Sequence, residues 1–150
     1  MNVTSKNKEF IIFSVFTEEG KKAGYPEVID ALYTPMNETN HNITLLELGD
    51  LGFKYKELEG CYKGVIEKSI YVEISSIEDF KIILNIARFY GQESILYINH
   101  NREAFLQFTD NDINTKLLGN FKQVSKQEAL AQDAYSYDYV NNGYYICEGE

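Results

Sequence analysis

Residues able to do chemistry are few in this 150-residue chain, and most of them gather in one segment. Leu58-Glu59-Gly60-Cys61-Tyr62-Lys63-Gly64 is followed closely by Glu67-Lys68-Ser69. A tyrosine and a glutamate five residues apart bracket a turn between two expected strands. If that turn is tight, the two side chains approach each other. A tyrosine hydroxyl donating to a carboxylate makes a fixed acceptor, suited to an ammonium or a sulfonium. The spacing also fits a plainer reading, in which Tyr62 packs at a sheet edge and Glu67 is a solvated turn residue paired with Lys63 or Lys68. Cys61 reads as a small buried hydrophobe. His41 and His100 have no Ser, Cys or metal partner at a known spacing and read as surface or turn residues, so neither a Ser-His-Asp triad nor a histidine metal site is expected. Cys61 and Cys147 lie in no CxxC or Cys/His pattern, which leaves a disulfide framework and structural zinc unsupported. GxGxxG, the phosphate-loop motif and HExxH are absent from the sequence. No metal and no cofactor is expected.

The composition narrows the class of partner. Lys and Arg number 14 and Asp and Glu 23, a net charge of −9. Such a field repels phosphate backbones and argues against nucleic acid, while a cationic small molecule is compatible with it. Hydrophobic residues make up 44% of the chain, which excludes disorder. Twelve Tyr and nine Phe with no Trp suggest a surface that stacks on something. One domain over 1–150 is expected, with 1–8 a flexible tail. The N-terminus lacks a signal-peptide pattern, and the apolar run at 10–16 is too short to span a bilayer. The reading is a soluble cytoplasmic protein that does not engage a membrane.

These residues need elements to position them. Residues 9–17 read as a buried strand and 18–24 as a turn. Pro26 opens a helix with Val28, Ile29, Leu32 and Tyr33 on one face, and Pro35 stops it. A second helix over 39–48 turns Ile43, Leu46 and Leu45 inward and ends at Gly49 and Gly52. A strand over 53–63 puts Phe53, Tyr55 and Leu58 on one side. In the strand over 68–74, Ile70, Val72 and Ile74 make a buried face and Tyr71 and Glu73 a wet one. The clearest helix covers 76–90, capped by Ser76 and Asp79, with Ile77, Phe80, Leu84 and Ala87 at helical spacing and Gly91 as its C′ residue. Strands follow over 94–99, 104–109 and 115–124, the last broken at Gly119. A short helix over 125–131 precedes a hairpin over 137–147 turned at Asn142-Gly143. The order β, α, β, β, α, β predicts an α+β fold: a ferredoxin-like antiparallel sheet with helices on one face, plus extra C-terminal strands.

Four blocks in order resemble one family. Leu58-Glu59-Gly60-Cys61-Tyr62-Lys63 is similar to the L-x-G-C-Y-R/K segment of phage-encoded S-adenosylmethionine (SAM) lyases, long described as SAM hydrolases. Glu67-Lys68-Ser69-Ile70-Tyr71-Val72 resembles E-K-T-V-x-V. Leu84-Asn85-Ile86-Ala87-Arg88, with Gln92 and Ile95-Leu96-Tyr97 beyond, resembles L-N-V-A-R…Q…V-L-V. Leu118-Gly119-Asn120-Phe121-Lys122-Gln123-Val124 resembles P-G-S-F-Q-E-V. The likeness covers about 58–124, nearly half the chain. The segment between Tyr62 and Glu67 is shorter here, and the N-terminal third and the C-terminal hairpin diverge, so no site residue is carried over from 24–50.

The resemblance implies a homotrimer of ferredoxin-like, PII-like subunits with active sites between them. It implies Glu67 as the key catalytic carboxylate, Tyr62 as its hydrogen-bonding partner and Gln92 as an active-site polar residue, with Gly119 and Phe121 lining the adenosine pocket. The implied reaction is intramolecular. The methionine carboxylate attacks Cγ, methylthioadenosine departs and homoserine lactone forms, without metal, cofactor or protein nucleophile. The substrate is SAM, depleted against restriction, or the SAM–AMP conjugate, a signal of type III CRISPR defence. The competing class is a non-catalytic PII-like trimeric sensor of an adenine nucleotide. A true hydrolase giving homoserine and an acidic DNA mimic are further alternatives, the latter disfavoured because the acids are scattered.

Overall fold

The β-branched and aromatic run at Glu9–Phe13 forms strand β1, buried on both faces. The computed structural model describes residues 8–17, 27–62 and 64–149, and of 27–35 the backbone alone. The expected tail over 1–8 (apart from Lys8), the turn over 18–24 and the helix start at Pro26 lie outside the described residues. Helix α1 (Glu27–Asp50) is followed by β2 (Tyr55–Tyr62), β3 (Val65–Ile74) and helix α2 (Ile77–Phe89). Then come β4 (Ser94–Ile98), β5 (Glu103–Phe108), β6 (Thr115–Val124), helix α3 (Lys126–Leu130), β7 (Ala134–Asp138) and β8 (Gly143–Glu148).

The eight strands form a closed antiparallel barrel in the order β1-β3-β2-β7-β8-β6-β5-β4, with β4 pairing back onto β1. The expected ferredoxin-like, PII-like open sheet is therefore wrong. The β, α, β, β, α, β succession exists through β4, but the C-terminal strands are not appendages. β7 pairs with β2 and β5 with β4, so the two strands that would be edges of an open sheet are both covered. Hydropathy gives strand existence and facing. It does not give long-range partners, and an uncovered edge is a liability that closure removes.

Closure creates two cores. Inside the barrel, Phe10, Leu58, Tyr71, Phe121 and Tyr145 pack together. Phe10 lies 4.7 Å from Tyr71 and 5.4 Å from Phe121, and Phe121 stacks on Tyr145 at 5.2 Å. Outside, α2 and the end of α1 cover β1, β3 and β4 through Ile11, Phe13, Val72, Ile83, Leu84 and Leu48. The expected wet face of β3 is thus corrected: Tyr71 is 1% exposed because its side of the strand is the barrel interior. Likewise Leu58 faces inward while Phe53 and Tyr55 pack on the outer core, so the three do not share a side. Among the inward groups, Lys56 pairs with fully buried Asp138, which also accepts hydrogen bonds from Val140 N, Asn141 N and Asn141 Nδ2.

The two helices expected around Pro35 are one. A proline removes a single intrahelical bond and does not dictate where flanking turns end. The inward face also differs from expectation. Asn37, His41, Thr44 and Leu48 are buried, whereas Ile43 and Leu46 are exposed. The polar members of that face have partners: Asn37 bonds both backbone groups of Thr17, and Thr44 Oγ1 donates to Asn40 O.

Helix α2 forms as expected. Ser76 accepts from Asp79 N at 3.1 Å. At the other end Gly91 has φ 71°, with Gly91 N bonding Arg88 O and Gln92 N bonding Ala87 O, a paired C-terminal cap that needs the left-handed glycine. Ile77, placed on the apolar face by spacing, is exposed. The β7–β8 hairpin turns at Asn142, φ 55°, as its Asn-Gly pair predicts.

Gly119 marks a bulge where the β5–β6 register shifts. Its φ is 126°, and a Cβ there would sit 2.0 Å from Glu148 O. Gly119→Ala is therefore expected to force β6 and β8 apart, costing about 3–5 kcal/mol. Thermal unfolding should show a Tm lower by about 10 °C.

Candidate active site

The β2–β3 hairpin carries the candidate site. Gly60 pairs with Glu67, Leu58 with Ser69 and Tyr62 with Val65. Paired residues share a face, and facing alternates along a strand. Tyr62, Gly60 and Leu58 therefore lie on the face of Glu67, Ser69 and Tyr71, which deeper in becomes the barrel interior. The register makes Tyr62 and Glu67 diagonal neighbours at the barrel mouth, a relation in which long side chains reach each other. The equivalent diagonal one step inward is close: a Cβ on Gly60 would stand 3.4 Å from Ser69 Oγ. Glu67 is half-buried, and Tyr62 is 63% exposed. Lys68 points to the opposite side and pairs with Glu38 at 2.8 Å. Lys63 lies outside the described residues.

Gln92 joins this region through the backbone after β1. Its Nε2 donates to Phe16 O at 2.6 Å. Phe16 N donates to Ser14 Oγ, which in turn donates to Lys68 O, the residue after Glu67, at 3.0 Å. Behind Gln92, Thr109 Oγ1 donates to Gln92 O at 2.6 Å and Arg88 Nε donates to Thr109 O at 2.7 Å. Gly60 and Ser69 fall inside the segment that the sequence singles out, but their inward facing appears only with the barrel register; Ser14 carries no motif and escapes sequence reasoning.

The other two expected residues sit elsewhere. Phe121 is 6% exposed within the interior aromatic cluster. Gly119 borders an open depression of 240 Å³ together with Glu103, Leu117 and Asn120, below the size of about 300 Å³ at which ligand pockets usually begin. Burial pushes the Cys147 thiol up to about 11, so it stays protonated at neutral pH.

His41 is not the surface residue expected. It is fully buried on α1, with Nε2 2.7 Å from Glu57 Oε1 and no partner on Nδ1 among the described residues. Tyr139 donates to the other oxygen of Glu57 at 3.2 Å. His100, by contrast, is exposed, as expected. Among the described residues no group of His, Cys, Asp and Glu could hold a metal ion, and no helix is long and apolar enough to cross a membrane.

A carboxylate and a phenol thus share the inward face of adjacent strands at one end of the barrel. The model of the S-adenosylmethionine lyase family matches residues 32–148, and the chain belongs to that family. By class it is a lyase acting on SAM. No curated protein matches it.

Burial raises the Glu57 carboxyl, but the hydrogen bonds from His41 and Tyr139 outweigh it and leave the group below the ordinary carboxylate range. A group lowered by folding contributes stability above its unfolded-state range and loses it as pH falls through the folded value. Replacing Glu57 by Gln is expected to flatten the acid limb of the Tm–pH profile relative to the unmodified chain. An unchanged slope would show that Glu57 is not a linked group.

Proposed function

We propose that the chain cleaves SAM, or the SAM–AMP conjugate, by intramolecular displacement at the barrel mouth. A methionine carboxylate oxygen bonds to Cγ, the Cγ–S bond breaks with its electron pair passing to sulfur, and methylthioadenosine (or its AMP conjugate) leaves as homoserine lactone forms. The observation that carries this reading is the shared face and diagonal register of Tyr62 and Glu67 beside the side-chain-free Gly60. Glu67 holds the α-ammonium, Tyr62 orients Glu67, and Gln92 fixes the backbone behind them. Orientation of a carboxylate for attack within one molecule is worth up to about 7–11 kcal/mol.

A homotrimer with active sites between subunits would cover the exposed apolar residues at this rim, Tyr62, Val65 and Ile66. The segment between Tyr62 and Glu67, shorter in sequence than in the phage enzymes, leaves room for an added AMP and so favours the larger conjugate, whose cleavage would remove a type III CRISPR signal in the cytoplasm. Depletion of SAM against restriction is the role that free SAM as substrate would give.

Incubation with SAM and with SAM–AMP, followed by liquid chromatography and mass spectrometry, tests the reaction. Lactone and methylthioadenosine are expected from at least one, and the faster substrate selects the role. Glu67→Gln is expected to lower turnover by at least about a hundredfold with the oligomer intact by light scattering. Tight adenine-nucleotide binding without turnover would instead favour a non-catalytic sensor.

A further inference from the structure

Ser69 is 5% exposed, and its Oγ has no hydrogen-bond partner among the described residues. Native structures seldom leave a buried hydroxyl unmatched, and each case calls for a reason. The hydroxyl is aimed at the place where Gly60 lacks a side chain, since a Cβ built there would lie 3.4 Å from Oγ. Gly60 is also the residue paired with Glu67. The space over Gly60 is therefore bordered by that hydroxyl and by the backbone oxygen of Glu67, whose side chain lies on the same face of β3. Glu67 and Ser69 are two positions apart on one strand face, about 7 Å along the strand. That span matches an α-amino acid group bridging them, with its ammonium on the carboxylate and its carboxylate on the hydroxyl.

We infer that Ser69 is a substrate-contact residue that donates its hydroxyl hydrogen to the substrate's α-carboxylate, in the notch that Gly60 leaves open beside Glu67. This rests on the lyase reading and adds the group that fixes the nucleophile. With one carboxylate oxygen held by Ser69, the other is left to attack Cγ. The hydroxyl transfers no proton and forms no covalent bond. Gly60 is then a specificity element, because any side chain there occupies the notch.

The test uses two unreactive adenosyl thioethers and the full chain. S-adenosylhomocysteine carries the amino acid group; methylthioadenosine lacks it. Binding is measured by titration calorimetry, and the Tm of each variant is recorded. Ser69→Ala is expected to weaken S-adenosylhomocysteine by about tenfold or more, to leave methylthioadenosine unchanged, and to raise or preserve Tm because an unmatched hydroxyl is removed. Gly60→Ala meets its neighbours at 3.4–3.8 Å, ordinary contact, so it should fold and show the same selective loss. With the lyase substrate, KM should rise more than kcat falls in Ser69→Ala. Equal affinity of Ser69→Ala and the unmodified chain for S-adenosylhomocysteine overturns the inference while leaving the lyase reading in place. So does a parallel loss of both ligands with a lowered Tm, which marks Ser69 as structural. If the unmodified chain binds neither thioether, the inference fails; the lyase reading fails only if neither SAM nor SAM–AMP is turned over.

Discussion

Every strand of the barrel is hydrogen-bonded on both sides, and this closure fixes which way each side chain points. A one-residue slip anywhere would turn the inner core outward and bring the outer one in. The constraint is strictest on β3, where Glu67, Ser69 and Tyr71 follow one another along the inward face. Polarity falls along that line, from a half-buried carboxylate to a buried hydroxyl to a phenol inside the aromatic cluster. Phe10, Phe121 and Tyr145 fill the interior below it. The polar end of that line thus sits above an aromatic layer, formed where four residues from β1, β3, β6 and β8 meet inside the barrel.

A mouth built from strand ends would fray without bracing. The bracing is a relay of hydrogen bonds running from Arg88 to Thr109, Gln92, Phe16, Ser14 and the carbonyl of Lys68. It couples the C-terminal cap of α2 to the backbone adjoining Glu67. The cap at Gly91 aims Gln92, and burial of Leu84 and Ala87 against the outer core fixes the helix that carries Arg88. Packing, capping and site geometry are thus one problem here, since a site must be held by groups that are themselves held.

Much of this was legible in the sequence, for identifiable reasons. The helix at Ile77–Phe89 announced itself through Ser76, Asp79 and Gly91, and the last hairpin through Asn142-Gly143. The break at Gly119 marked the bulge. Those signals are local, and local geometry decides them. Closure was not legible, because no local pattern says that β7 lies on β2 and β5 on β4. The same gap hid the burial of Tyr71, whose alternation with Ile70 and Val72 looks like a wet face until a second core is known to lie behind it. On α1 the apolar residues Ile43 and Leu46 misled, since the buried stripe is carried by Asn37, His41 and Thr44, whose bonds to Thr17, Glu57 and Asn40 O form only in the folded chain. The pairing of Tyr62 with Glu67 was open to two readings from spacing. The register puts them on one face, and family membership supplies the reaction class.

The proposed chemistry makes a demand on that geometry. As the Cγ–S bond breaks, the sulfonium loses its charge and the attacking carboxylate loses its own. A transition state in which opposite charges merge is less polar than the ground state, so a dry site favours it and water opposes it. A protein carboxylate set against the sulfonium would bind the ground state better than the transition state and slow the reaction. The α-ammonium keeps its charge throughout. Glu67 is therefore most useful at the rim, holding the ammonium, with the sulfonium placed towards the aromatic side chains, where the inward carboxylate of Asp138 is already neutralised by Lys56. Aromatic faces attract a cation more weakly than a carboxylate does and lose less as the charge disappears. The gradient along β3, carboxylate at the mouth and phenol below, is the arrangement such a reaction needs.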